Sequence, residues 1–252
     1  MKTSRLRAAA IHLGISAVIA LAISLFIVFI WYPGPLLDAA GGKLLLALVI
    51  GVDMCLGPLI TLVIFNPEKR RSLLLLDFSV IATLQVAALA YGLYATVEGR
   101  PVFVAYGQGS FVAVSANQVD DGMLKAAGKA EFQSLPLAGP RWVGTQPPTD
   151  PKEQSDLNFA QGMTGFGIQY QPKYYVEINE VQSDLKSVAK PVSQLRSRNP
   201  GDVDKLDRAL AKAGKAEADV GYIPLKTRQQ MLSVLVDVHT GKVLDMVAIP
   251  PV

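Results

Sequence analysis

The chain has 252 residues, half of them apolar, and a formal net charge of +3. That small charge, with bases set among acids as in Lys205, Asp207, Arg208 and Lys212, does not point to a nucleic-acid partner. The one cysteine, Cys55, lies in an apolar run, which excludes an intramolecular disulfide and a cysteine metal site.

The apolar residues are unevenly spread. Residues 8–97 carry few charges, whereas residues 98–252 have the mixed composition of a soluble domain. The first apolar run, residues 8–32, follows Lys2, Arg5 and Arg7 and holds no formal charge. As a helix it reaches about 37 Å, enough to cross a hydrocarbon layer of about 30 Å. A cleaved signal peptide would have a shorter apolar region and a small-residue cleavage site. This run ends in Phe29, Ile30, Trp31 and Tyr32, read as an aromatic interface belt, so an uncleaved span is expected. Further spans are expected at residues 44–65 and 73–97. Pro33, Gly34 and Pro35 separate the first two, and Asn66 and Pro67 end the second. Lys2, Arg5 and Arg7 mark one cytoplasmic segment, and Lys69, Arg70 and Arg71 the other. The first loop has only Lys43, beside Asp38. The expected topology has the N-terminus inside, three crossings, and everything after Val97 outside.

Four polar residues stand out within these spans. Counting from the cytoplasmic ends puts Asp53 and Gln85 at matching depth near the midplane, where a hydrogen bond between neighbouring helices is the natural pairing. His12 and Asp77 lie nearer the cytoplasmic ends, with Arg70 and Arg71 within reach of Asp77. Such groups either join the helices to each other or recognise a polar group on a client helix. A proton or ion pathway is a further reading, but three helices are few for a transporter.

In the soluble part, residues 102–106, 110–115 and 141–145 read as strands, residues 117–127 as a short helix and residues 146–151 as a proline-rich loop. A longer helix is expected from about Lys173, because Ile178, Val181, Leu185, Val188, Val192 and Leu195 recur at steps of three and four. Pro191 should kink or break it. A second helix is expected over residues 202–213. Residues 231–238 and 243–249 read as a hairpin turning at His239-Thr240-Gly241-Lys242. The expected fold is a membrane protein with three N-terminal transmembrane α-helices (residues 1–97) followed by a soluble α+β domain with an antiparallel sheet (residues 98–252).

Catalytic signatures are not found. The domain has one histidine, His239, in a predicted turn, and it lacks cysteine. Gly107-Gln108-Gly109 and Gly165-Phe166-Gly167 lack the strand–loop–helix setting of a phosphate loop. The expectation is a protein that is not an enzyme, with no cofactor and no metal.

Several segments resemble a known family. Trp31-Tyr32-Pro33-Gly34-Pro35-Leu36 resembles the loop after the first helix of type IV pilin accessory proteins of the TfpX/TfpZ type. Gly51-Val52-Asp53 with Leu56-Gly57-Pro58-Leu59 resembles their second helix. Ala87-Ala88-Leu89-Ala90-Tyr91-Gly92-Leu93-Tyr94 and Arg100-Pro101-Val102 resemble the third helix and its exit. Tyr222-Ile223-Pro224-Leu225, Leu235-Val236-Asp237 and Thr240-Gly241 resemble the last hairpin. The resemblance implies a multi-pass protein of the bacterial inner membrane with a periplasmic domain. It also implies a chaperone or assembly factor that binds type IV pilin, with other inner-membrane pilus components as further partners. Two alternatives remain at this stage. A sensor or regulatory subunit would need a larger cytoplasmic output segment, and a pilin-modifying enzyme would need more spans and more acids in its outer loops.

Overall fold

The computed structural model describes residues 2–51, 54–55, 57–64 and 70–251. They divide into two compact units. One comprises Met1–Ile30 with Gly42–Glu98, and the other Trp31–Gly41 with Gly99–Val252.

The first unit is helical. Helix α1 (Lys2–Phe26) continues into a π-helical turn, Ile27–Trp31. A short helix α2 (Leu36–Ala39), which belongs to the second unit, leads to α3 (Gly42–Gly51), α4 (Gly57–Ile64) and α5 (Arg71–Gly99). Arg5–Trp31 and Arg71–Gly99 are long and apolar enough to cross a membrane, whereas α3 and α4 are each shorter than a span. Ile11, Val18, Leu21, Leu84 and Val86 leave large apolar side chains uncovered, as helices solvated by lipid would. His12, Ser16 and Ala20 recur every fourth residue on α1, and Ser16 and Ala20 are buried. Small residues at that spacing let α4 approach closely.

In the second unit, among the described residues, eight strands form one sheet in the order β4-β3-β1-β2-β6-β7-β8, with β5 paired to β6. In chain order the elements are β1 (Pro101–Gly107), β2 (Ser110–Ser115), α6 (Asp121–Lys125), β3 (Arg141–Thr145), α7 (Pro151–Thr164), β4 (Tyr175–Glu177), α8 (Gln182–Val188), β5 (Lys190–Pro191), α9 (Val192–Arg198), α10 (Val203–Ala213), β6 (Val220–Lys226), β7 (Met231–Asp237) and β8 (Val243–Val247). The expected antiparallel sheet is corrected to a mixed one. Both central pairings outside the β1–β2 hairpin, β1 with β3 and β2 with β6, are parallel. Each is reached by a crossover rather than a tight turn, which makes the incoming strand run the same way as its neighbour.

The expected single helix through the 178–195 stripe is also corrected. Residues Ile178–Val181 form a 3-10 turn, α8 follows, and Lys190 and Pro191 pair with β6 before α9 begins. The break at Pro191 sends the two halves of the stripe to different places. Ile178, Val181, Leu185 and Val188 pack with Val104, Phe111 and Ile223, whereas Val192 and Leu195 pack with Leu206, Tyr222 and Leu235.

The segment Trp31–Gly41 is an integral piece of this unit. Leu36 and Ala39 have no solvent exposure and lie in the cluster of Val104, Phe111, Ile223 and Val234. The Ala39 carbonyl accepts from the Thr227 hydroxyl at 2.6 Å and from the Gln229 N–H at 2.9 Å. Trp31 donates its indole N–H to the Leu137 carbonyl at 3.0 Å and lies under the Arg100 guanidinium at 5.6 Å from the ring centre. Tyr32 is wholly buried. Trp31 and Tyr32, expected as an interface belt, therefore serve as core residues. The polar end of Trp31 finds its partner within the protein.

Candidate functional site

Within the helical unit, three elements bring polar side chains together. His12 of α1 is held from both ring nitrogens. Nδ1 is 2.6 Å from the Thr61 hydroxyl on α4, and Nε2 is 2.8 Å from Gln85 Oε1 on α5. The Gln85 carbonyl oxygen can only accept, so Nε2 carries a proton. In the neutral imidazole Nδ1 then accepts from the buried Thr61 hydroxyl. Gly57, one turn before Thr61, makes room for the pair. A Cβ there would fall 1.9 Å from Gln85 Nε2 and 3.0 Å from His12 Nε2.

His12 and Gln85 line a groove of about 510 Å³ between α1 and α5, together with Ile11 and Ile15 on one helix and Phe78 and Ile81 on the other. The groove is almost wholly apolar, and His12 and Gln85 are its polar points. An apolar trough of this kind suits an apolar helix, and within it the His12–Gln85 bond joins α1 to α5.

The residues singled out in the sequence distribute as follows. His12 and Gln85 meet directly. His12 is bonded by Thr61 and Gln85 and not by Asp77, its counterpart by depth. Helix α1 starts at Lys2, several residues before the uncharged run, so His12 lies ten residues into the helix rather than near its end. Asp77 is half-buried eight residues before Gln85 on α5. Asp53 lies outside the described residues, as does the 65–69 stretch with Lys69. Thr61 was not singled out by sequence reasoning, and Gly57 entered only within the Leu56-Gly57-Pro58-Leu59 segment that resembles the family's second helix, with no role attached to it.

Among the described residues, the second unit shows no comparable polar pair in an apolar groove. His239 is exposed at the β7–β8 turn and 3.0 Å from Asp219. Asp237 anchors that turn. Its carboxylate binds Lys215 at 2.7 Å and accepts the N–H groups of His239 and Thr240 at 2.8 and 2.9 Å. Lys215 and then those backbone donors hold its carboxyl well below the usual carboxylate range. Burial, reinforced by the adjacent Asp184 carboxylate, pushes the Tyr106 hydroxyl far up. Among the described residues, no group of three or more histidine, cysteine, aspartate or glutamate side chains could hold a metal ion. Cys55 is a free, exposed thiol.

A family model described as fimbrial assembly protein FimB matches residues 2–41, that is, α1, the π-helical turn after it and the segment through Gly41. The chain is 30% identical over 222 residues to the fimbrial assembly protein of serogroup E1 of Dichelobacter nodosus, covering 88% of this chain and 86% of that protein. It is 29% identical over 225 residues to the serogroup I protein of the same organism, with the same coverage. To the protein of serogroups C1 and C2 it is 38% identical over 96 residues, 38% of this chain and 73% of the relative. No solved structure matches the chain. The relatives agree with the pilus accessory resemblance read from the sequence, and the match extends through both units: the chain belongs to the fimbrial assembly protein (FimB) family.

Proposed function

We propose that this protein is a bacterial inner-membrane assembly factor that holds a type IV pilin subunit before or during its incorporation into the pilus. The groove between α1 and α5 carries the reading. It is a mostly apolar trough between two helices long and apolar enough to cross a membrane, with His12 and Gln85 among its lining. The apolar helix of an unassembled membrane-resident subunit is an occupant of matching chemistry. Family membership supports a role in pilus assembly, since the relatives are named for fimbrial assembly. The role is one of binding and positioning, with no chemical step, no cofactor and no metal.

Three crossings are part of the proposal. Trp31–Gly41 and Gly99–Val252 belong to one compact unit, so both must lie on the same side of the membrane. The chain between them must then cross an even number of times. If α5 crosses, so does the stretch containing α3 and α4. The basic residues at the N-terminus and at Arg70 and Arg71 support a cytoplasmic placement for those ends and a periplasmic one for the second unit.

The experiment is site-specific photo-cross-linking in native membranes, with a photoreactive residue at Ile15 in the groove or at Leu21 on another face of α1. Pilin adducts at Ile15 and not at Leu21 are expected, together with loss of surface pili but unchanged pilin mass in a clean deletion. Normal piliation in the deletion refutes the reading, and a changed pilin mass favours a modifying enzyme.

A further inference from the structure

The sheet ends at β8, and β8 is paired on one side only, to β7. Along an antiparallel ladder, hydrogen-bonded and outward-facing positions alternate. The Asp237 N–H donates to the Lys242 carbonyl. Counting from that bond through the bulge at Leu235/Val236 makes Asp245 and Val247 ladder positions and turns the backbone of Met246 toward the open edge. The Met246 N–H is held at 2.8 Å by the Asp245 carboxylate, a bond that an added strand would exchange for one to its own carbonyl. A groove of about 570 Å³ lies along this edge. Trp142, Ile178, Val243 and Met246, each only partly buried, form its apolar walls, and Pro33 and Pro35 lie at its rim. Lys212 and Lys242 stand on the same rim. Lys212 is paired with Asp245 at 2.8 Å. Lys242 is exposed and, among the described residues, is in no ion pair.

An open strand edge, an apolar trough beside it and one uncompensated cation form a site for an extended peptide. Main-chain bonds supply affinity in such a site and the flanking trough supplies selectivity. We infer that an extended segment of the pilus subunit adds to β8 as a further strand, sets apolar side chains against Trp142 and Met246, and brings a carboxylate to Lys242. The inference rests on the assembly role proposed above and identifies a second point of contact, in the second unit. The five residues of β8 give room for about 17 Å of added strand. A second copy of this chain fits the site less well. Its own β8 carries one carboxylate, Asp245, which Lys212 already holds.

The test uses the full-length protein in membranes that contain the native pilin, with a photoreactive residue at Lys242, at Met246, or at Lys205 on α10 as control. Pilin adducts at 242 and 246 and none at 205 are expected. Lys242→Glu should lower the adduct at 246 by roughly ten-fold, as a reversed charge on a binding rim does. Met246→Pro, which removes the edge N–H and leaves the β7 ladder bonds in place, should abolish the adduct at 242 in protein whose tryptophan fluorescence shows the second unit still folded. Absence of pilin adducts at both groove positions, in cells where the deletion still removes pili, overturns this inference and leaves the assembly role intact. Adducts with a second copy of this chain, or an adduct unchanged by Lys242→Glu, overturn it as well.

Discussion

Replacing Leu36 by alanine asks whether the Trp31–Gly41 segment holds the second unit together or merely lies beside it. Leu36 has no solvent exposure and packs in the cluster of Val104, Phe111, Ile223 and Val234. The change removes three carbons, about 2.4 kcal/mol of transfer free energy, and leaves a cavity that a sheet anchored on both sides closes only in part. A total loss of about 3 to 4 kcal/mol is expected. With a urea dependence of about 2 kcal/mol per molar for a unit of this size, the midpoint should fall by about 1.5 to 2 M. The readout is favourable, since the chain's two tryptophans, Trp31 and Trp142, both belong to the second unit. Their fluorescence therefore follows that unit alone in detergent. Leu137→Ala, at a side chain 75% exposed, is the control and should leave the midpoint in place. An unchanged midpoint in Leu36→Ala, with a clear drop in Leu232→Ala, would refute the claim that this segment is core.

Asp237 should make the second unit acid-sensitive. Its folded carboxyl titrates far below the unfolded value near 4, so its stabilisation is complete above that value and is lost as pH falls toward the folded one. The urea midpoint of the wild type should decline steeply below about pH 4, and that of Asp237→Asn should start lower and decline less; parallel curves would sink the assignment. Gly241→Ala should cost about 2 to 3 kcal/mol and Gly214→Ala about 1, again by urea midpoint. Both glycines have positive φ, but a Cβ at 241 would lie 2.0 Å from the Gln182 carbonyl oxygen whereas one at 214 meets open space. Equal losses would show that the contact does not matter. In the helical unit, Gly57→Ala should displace the Gln85 amide from His12 and lower piliation at matched protein level, much as Gln85→Leu does. Wild-type piliation in both would remove the polar pair from the mechanism.

The sequence and the structure agree best where a signal is local. Strands β1, β2, β3, β7 and β8 and helix α10 lie within a residue or two of the expected ranges, because alternation, branched residues and a short turn announce them. The parallel pairings β1–β3 and β2–β6 leave no such mark. They are set by which faces must be covered across long crossovers. Helix α7 was missed because Leu157 is its one buried residue, so no apolar stripe exists to be seen. Its markers were the Asp150 cap, Pro151 at the first position and Gly165 at the end. Strand β6 was obscured by Pro224. That residue is tolerated because β2 pairs only with Leu225 and Lys226, and β5 only with Gly221 and Tyr222, leaving its missing N–H between the two partners. The polar pair was half legible. Histidine and glutamine in apolar helices attract notice, but which of them meet depends on where each helix starts, and the uncharged run began later than the helix does.

The engagement of Ala39 by Thr227 also bears on how the protein is made. The two residues are 188 positions apart, so at ordinary translation rates Leu36 and Ala39 are synthesised roughly 10 to 40 s before the strands that enclose them. Through most of that interval the apolar face of α2 has only its β1 and β2 neighbours, Val104 and Phe111, and a nascent chain released short of β7 leaves the enclosure incomplete. Completion of the second unit thus reports that translation has passed Gln230. A truncated product would expose Leu36 and be open to proteolysis, which ties the lifetime of this protein to the integrity of its last third.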